Sequence, residues 1–324
     1  MRDDDSATAP APIALHGLGL AGLGVLSYSF TFPATAFALE GLHPYLIGVG
    51  RSAVAAVLAA LVLLAVRARP PRRGQVPALA AVGGGVIFGF PVLSTLALDH
   101  GASSAHAAVV VGLLPAATAV VAVLRAGERP SLAFWLACGA GALCVTGFAL
   151  VRGAGRFTPA DLLLFGALVA GAVGYAEGGR LARDMAGWRV ISWATVLSAP
   201  ISVPVTAYLL VTTHLQWTVR TASGFGYVAL FSAYLGFFAW YEGLARAGIA
   251  RASQVQLAQP VLTVLWSGLL LGELIDASTL LTAVAVLVCV ALTQRARVGP
   301  GRPSGRTVAP RDDLRNERPS VTSR

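Results

Sequence analysis

The chain has 324 residues, of which 56% are hydrophobic and only 12% charged, with a formal net charge of +9. Water-soluble domains carry about 25% charged residues, so a mean hydropathy of +0.72 excludes one and leaves a membrane protein of many spans. All 24 basic residues are arginine, clustered in short connectors and near the C-terminus, which reads as a topology signal and gives no nucleic-acid footprint.

A helix that crosses roughly 30 Å of hydrocarbon at 1.5 Å per residue needs about 20 mainly apolar residues. Residues 1–12 precede the first such run; they are acidic where a secretory leader would be basic, and are expected as a retained, disordered cytoplasmic tail. Ten runs then meet the requirement: 13–33, 44–66, 76–98, 103–124, 131–151, 161–182, 189–212, 223–245, 253–272 and 277–293. Short connectors rich in Pro, Gly and Arg join them, as in RARPPRRG at 67–74. Residues 294–324 are rich in Gly, Pro, Ser and Arg, cannot bury apolar area, and are expected as a disordered basic cytoplasmic tail.

With the N-terminus in the cytoplasm, twenty of the 24 arginines fall on the inner side and only Arg152, Arg156 and Arg220 on the outer side, Arg51 lying within the second run. This bias predicts cytoplasmic termini in a cell (inner) membrane.

Two stretches share one pattern. Pro115, Thr118, Gly127 and Glu128 recur as Pro260, Thr263, Gly272 and Glu273 at a constant offset of 145, which marks an internal repeat. Residues 13–151 form the first five-helix repeat and 161–293 the second, with 152–160 as the connecting loop. Five is odd, so the second copy must cross the bilayer in the opposite sense. The expected fold is therefore all-α and polytopic: ten transmembrane helices in a five-plus-five inverted-topology repeat, the arrangement secondary transporters use to open a central path to either side.

Polar residues inside the runs are the candidates for function. Pro115 and Pro260 each remove one backbone hydrogen bond and are expected as helix breaks with a gating role. Ser253, Gln256 and Gln259 recur every third residue; such amides serve either helix-to-helix hydrogen bonding or substrate coordination. Tyr234 and Tyr241, seven apart, fall on one helical face, either in an interfacial aromatic belt or at a binding site. Tyr28, with Ser27 and Thr31, and Tyr175 are further candidates for a cavity lining. Glu177 sits in GYAEGGR, where it either meets a proton or cationic group in a cavity or pairs with Arg180. His106 is read as a buried polar residue or a proton relay, so the coupling candidates are Glu177 and His106. Gly127–Glu128 and Gly272–Glu273 read as helix-end caps. The three cysteines lie singly in apolar runs, and neither metal-ligand spacing nor a cofactor motif is present.

The ten runs, the doubled Pro…Gly-Glu pattern, Arg51, and the stretch SAYLGFFAWYEGLARAGIARASQVQLAQPVLTVLWSGLLLGE at 232–273 together resemble the EamA-type members of the drug/metabolite transporter superfamily over residues 13–293. The resemblance implies a secondary carrier, often an exporter, of small organic solutes such as amino acids, with a cavity between the halves, the lipid bilayer and a small-molecule substrate as partners, and room for a homodimer. The absence of GxxxxGK[ST] removes ATP as a direct energy source for this chain. A membrane-embedded enzyme would need paired acids, a metal cluster or an activated nucleophile within the spans, and only single candidates occur. A non-transporting scaffold or sensor would have no use for a symmetric pathway.

Overall fold

A computed structural model describes the backbone of residues 11–126, 131–152, 156–182, 184–247 and 255–297, and within these the side chains other than those of 11–14, 126, 152, 241, 244–247, 294 and 297. Gly127, Glu128, Ser253, the Tyr241 side chain, and residues 1–10 and 298–324 of the two tails lie outside the described residues.

Among the described residues the fold is all-helical. Eight helices are long and apolar enough to cross a membrane: α1 (Leu15–Leu39), α2 (Pro44–Ala65), α3 (Arg73–Asp99), α4 (Ser104–Arg125), α5 (Leu132–Val151), α6 (Pro159–Leu181), α7 (Gly187–Thr212) and α8 (Val219–Trp240). Two shorter apolar helices follow, α9 (Ala258–Leu271) and α10 (Ala277–Thr293). Their starts carry the expected chemistry. Pro44 and Pro159 sit in the first turns of α2 and α6, where the missing N–H has no partner to lose, and Thr158 and Asp161 form a capping box.

The halves pack against each other as α1 on α8, α3 on α6, α2 on α7, α4 on α9 and α5 on α10, with α4–α6 and α1–α9 as further neighbours. Exchanging α1–α5 with α6–α10 sends this set of pairs onto itself, so the assembly has a pseudo-twofold arrangement. The partners run antiparallel. In the α3–α6 pair, Gly85 faces Ala170 and Gly174 while Gly166 faces Leu93. In the α1–α8 pair, Gly24 meets Trp240 and Ala21 meets Gly243 in the helical continuation to Ala247. These contacts need glycine: a Cβ on Gly85 would lie 2.4 Å from the Ala170 carbonyl oxygen, and one on Gly24 2.9 Å from the Trp240 Cβ.

Five irregularities gather where the halves meet. Helix α3 widens into π-helix over Gly83–Gly89 and α8 does so over Val228–Leu235, two starts again 145 apart. Helix α4 breaks at Gly112–Leu113 before Pro115, which cannot donate to the carbonyl one turn back. Before α9, turn residues 256 and 257 precede Pro260 in the same way. Helix α1 kinks at Phe30, and the Ser29 carbonyl there accepts from Thr263 Oγ1 at 2.9 Å, while Trp266 Nε1 donates to Ser29 Oγ at 3.0 Å.

Candidate functional site

The π-helical turns of α3 and α8 flank a central cavity of about 50 Å³. One wall is aromatic: the Tyr28 ring meets Phe237 edge-on at 5.2 Å, and Tyr175 stacks beside Phe237 at 6.3 Å. The opposite chemistry comes from α2. Arg51 is buried, 5% exposed, and donates from Nη2 to Ser232 Oγ at 2.9 Å; Ser232 in turn shares a 2.7 Å hydrogen bond with Thr31 Oγ1. The next residue, Ser52, donates to the Ile87 carbonyl at 2.8 Å. Adjacent residues of α2 therefore hold the two π turns, one through a side chain and one through a backbone carbonyl.

A second cavity, of about 20 Å³, lies between the breaks of α4 and α9. Pro115, Gln256, Pro260 and Thr263 line it, and it adjoins the first through Phe32, Leu114 and Gln259, which belong to both linings. The structure thus brings Tyr28, Tyr175, Gln256, Gln259, Pro115 and Pro260 into one connected region. Arg51, Ser232 and Thr31 complete it. Arg51 of α2 and Ile191 and Thr195 of α7 also line the first cavity.

Three sequence candidates stand elsewhere. Tyr234 is 1% exposed but absent from the lining: its hydroxyl bonds Ser192 Oγ at 2.8 Å and its ring meets Phe238 edge-on at 5.0 Å. Its seven-residue relation to Tyr241 assumed an α-helical period, which the π turn containing Tyr234 alters. Glu177 is buried outside the cavity and held by two arginines: Arg125 Nε donates to Oε1 at 2.6 Å, the Arg125 Nη2 contact is closer still, and Arg180 Nε donates to Oε2 at 3.0 Å. Of the two readings of Glu177, the structure shows the pairing with Arg180 and adds Arg125 from the other half as a second partner. His106 is buried in α4 with Nε2 3.0 Å from Asp161 Oδ1 and its ring edge-on to Phe148 at 5.2 Å.

Asp161 is a residue that sequence reasoning passed over. Its signal was present in Thr158-Pro159-Ala160-Asp161, a capping-box spacing that draws the acid into the first turn of α6. Glu273 also does more than end its own helix. Gly272, at φ +66, turns the chain so that the Glu273 carboxylate accepts from the backbone N–H groups of Ser104 at 2.8 Å and Ala105 at 2.9 Å. Acids of the second half therefore grip both ends of α4, Glu273 at the start and Glu177 at Arg125. Among the described residues no group of three or more His, Cys, Asp or Glu converges as a metal site would require.

The comparisons with known proteins agree with this architecture. A sequence model described as the EamA-like transporter family matches twice, at residues 15–152 and 158–295. The chain is 42% identical over 273 residues, 84% of its length and 95% of the relative's, to a Bacillus subtilis (strain 168) protein named uncharacterized transporter YdeK. It is 25% identical over 288 residues, 86% of its length and 94% of the relative's, to a Streptantibioticus cattleyicolor protein named probable terminal-alkyne amino-acid exporter. A crystal structure at 19% identity superposes with a TM-score of 0.60, covering 87% of this chain and 97% of that one, a likeness of fold alone. Two matched copies, 42% identity to a named transporter over most of both chains, and two halves joined about a central cavity place this chain in the EamA-like transporter family.

Proposed function

We propose that the protein is a secondary carrier that exports a small organic solute, an amino acid or a related metabolite, by alternating access. The observation that carries this reading is the self-mapping set of helix pairs around the cavity. Two antiparallel halves of similar build give inward- and outward-open states of nearly equal energy. Discontinuous α4 and α9 place their breaks beside the cavity, where irregular backbone can be satisfied within protein. The relative named as an amino-acid exporter supports the solute class. In this reading α9 and α10 are the ninth and tenth spans, the repeat is inverted, both termini are cytoplasmic, and Tyr28, Tyr175, Gln256 and Gln259 contact solute while Pro115 and Pro260 shape the gates.

The cavity of about 50 Å³ holds a few water-sized volumes, whereas sites for small molecules run to roughly 300–1,000 Å³. In this reading, loading a solute requires the helices around the cavity to part. The test is counterflow in liposomes containing only this protein, loaded with unlabelled amino acids, with labelled amino acid outside. Transient accumulation of unaltered label above protein-free liposomes is expected. Chemically altered label, or accumulation no greater than in empty liposomes across the amino-acid panel, would overturn the proposal.

A further inference from the structure

We propose that Arg51 is the anion subsite of the central cavity and that the transported solute carries a carboxylate which this guanidinium binds. The inference rests on the carrier reading and narrows its solute to organic acids, amino acids being included through their carboxylate alone.

Burial of a guanidinium needs a reason. An arginine within a span costs at least about 2.5–3.5 kcal/mol on insertion scales, and side chains near helix ends relieve that cost by reaching the interface. Arg51 lies in the eighth position of α2 and turns inward, 5% exposed. Its described partner is a neutral hydroxyl, Ser232 Oγ, and its Nε is buried without a hydrogen-bond acceptor. Among the described residues no carboxylate stands within 4.0 Å of it; the recorded acid pairs serve Arg125, Arg180, Arg220 and two histidines. This contrasts with Glu177, whose charge is met twice over.

The surroundings fit the conjugate ligand. A guanidinium presents planar donors that match a carboxylate in two parallel hydrogen bonds, and such pairs are strong where water is excluded. Ser232 already accepts from Arg51, so its own proton can turn toward Thr31, leaving the Thr31 hydroxyl free to donate to a ligand oxygen. In the same lining the rings of Tyr28, Tyr175 and Phe237 offer an aromatic bed for the body of the solute. Among the described residues the lining contains no Asp or Glu to receive an ammonium. The site therefore selects for the acid end of a molecule and makes no charged demand for an amine.

The experiment is thermal unfolding of the purified full chain in detergent with three probes of one shape: 3-phenylpropanoate, 3-phenylpropanamide and 3-phenylpropylamine. In the wild type the acid at ten times its dissociation constant should raise Tm by about 3 °C, with the amide and amine near zero. Arg51→Gln should weaken acid binding about a hundredfold. Arg51→Lys, which keeps the charge and loses the planar fork, should fall between. The wild-type comparison of acid with amide decides the matter even if Arg51→Gln does not fold. Equal shifts from acid and amide, no shift from the acid, or an acid shift retained in Arg51→Gln would each overturn the subsite. Counterflow of a neutral or cationic solute that persists in Arg51→Gln would also overturn it while leaving the carrier intact. Acid-selective stabilisation that depends on Arg51, in liposomes that carry nothing, would instead keep the subsite and sink the carrier.

Discussion

Removing the Glu273 carboxylate tests the idea that the second half holds the start of α4. The acid accepts two backbone hydrogen bonds, at 2.8 and 2.9 Å, from Ser104 and Ala105, N–H groups that no turn of their own helix can satisfy. Hydrogen bonds to a charged group contribute about 1.5–3 kcal/mol each, the favourable helix dipole being part of the same interaction. Glu273 is half-buried, so the lower figure applies and the two bonds together give about 3 kcal/mol. Glu273→Ala forfeits both. Glu273→Gln keeps a neutral amide oxygen and should lose about 1–2 kcal/mol. At about 2 °C per kcal/mol for a chain of this size, Tm should fall by about 6 °C for Ala and about 2–4 °C for Gln. The assay is differential scanning of the purified protein in one detergent at one scan rate, because membrane proteins often unfold irreversibly. If both variants melted within about 1 °C of the wild type, Glu273 would be a bystander and the gripping of α4 from both ends would be refuted.

The opposite end of α4 gives a second prediction. Glu177→Gln should lower Tm, because Arg125 and Arg180 lose their shared charge at a buried acceptor, yet leave acid-probe stabilisation and the pH profile of counterflow unchanged, since the carboxylate stands outside the cavity; a shifted profile would restore Glu177 as a coupling group. Packing gives a third. Gly85→Ala forces a Cβ to 2.4 Å from the Ala170 carbonyl oxygen and should cost about 1–3 kcal/mol, read as lower Tm and a broadened size-exclusion peak, whereas Gly84→Ala, whose Cβ would meet nothing within 4 Å, should not be destabilised. Equal behaviour of the two variants would mean that α3 and α6 do not pack as closely as described.

Much of the architecture was legible because the bilayer writes in long words. Apolar runs of about 20 residues and the 145-residue offset announce themselves without tertiary knowledge. The α1 kink, which carries the helix on to Leu39 beyond the expected end at 33, was not, since its freed carbonyl is satisfied by Thr263 from the other half. The π turns were equally silent: GGGVIFG and VALFSAYL are apolar under either hydrogen-bond pattern, so nothing local distinguishes them. The prolines marked the broken helices because proline acts on its own backbone. Charges were hardest to read. Glu177 has its nearest sequence partner at Arg180, but Arg125 lies 52 residues away, and the two N–H groups that Glu273 meets belong to residues 168 and 169 positions distant. Arg51 was visible as an intramembrane cation; the lack of an acid facing it exists only in three dimensions.

The two π turns give the centre a shape that depends on both halves. Such a turn holds more chain than the α-helical hydrogen-bond ladder needs, and these occur at one register in both halves. Each half thus brings one widened turn to the shared centre. The two halves differ at that spot: Ile87 in the first half corresponds by the 145 offset to Ser232 in the second. Only one side offers Arg51 a hydroxyl. A centre framed by two similar halves thereby has a handedness, and with it the means to hold an asymmetric molecule one way round.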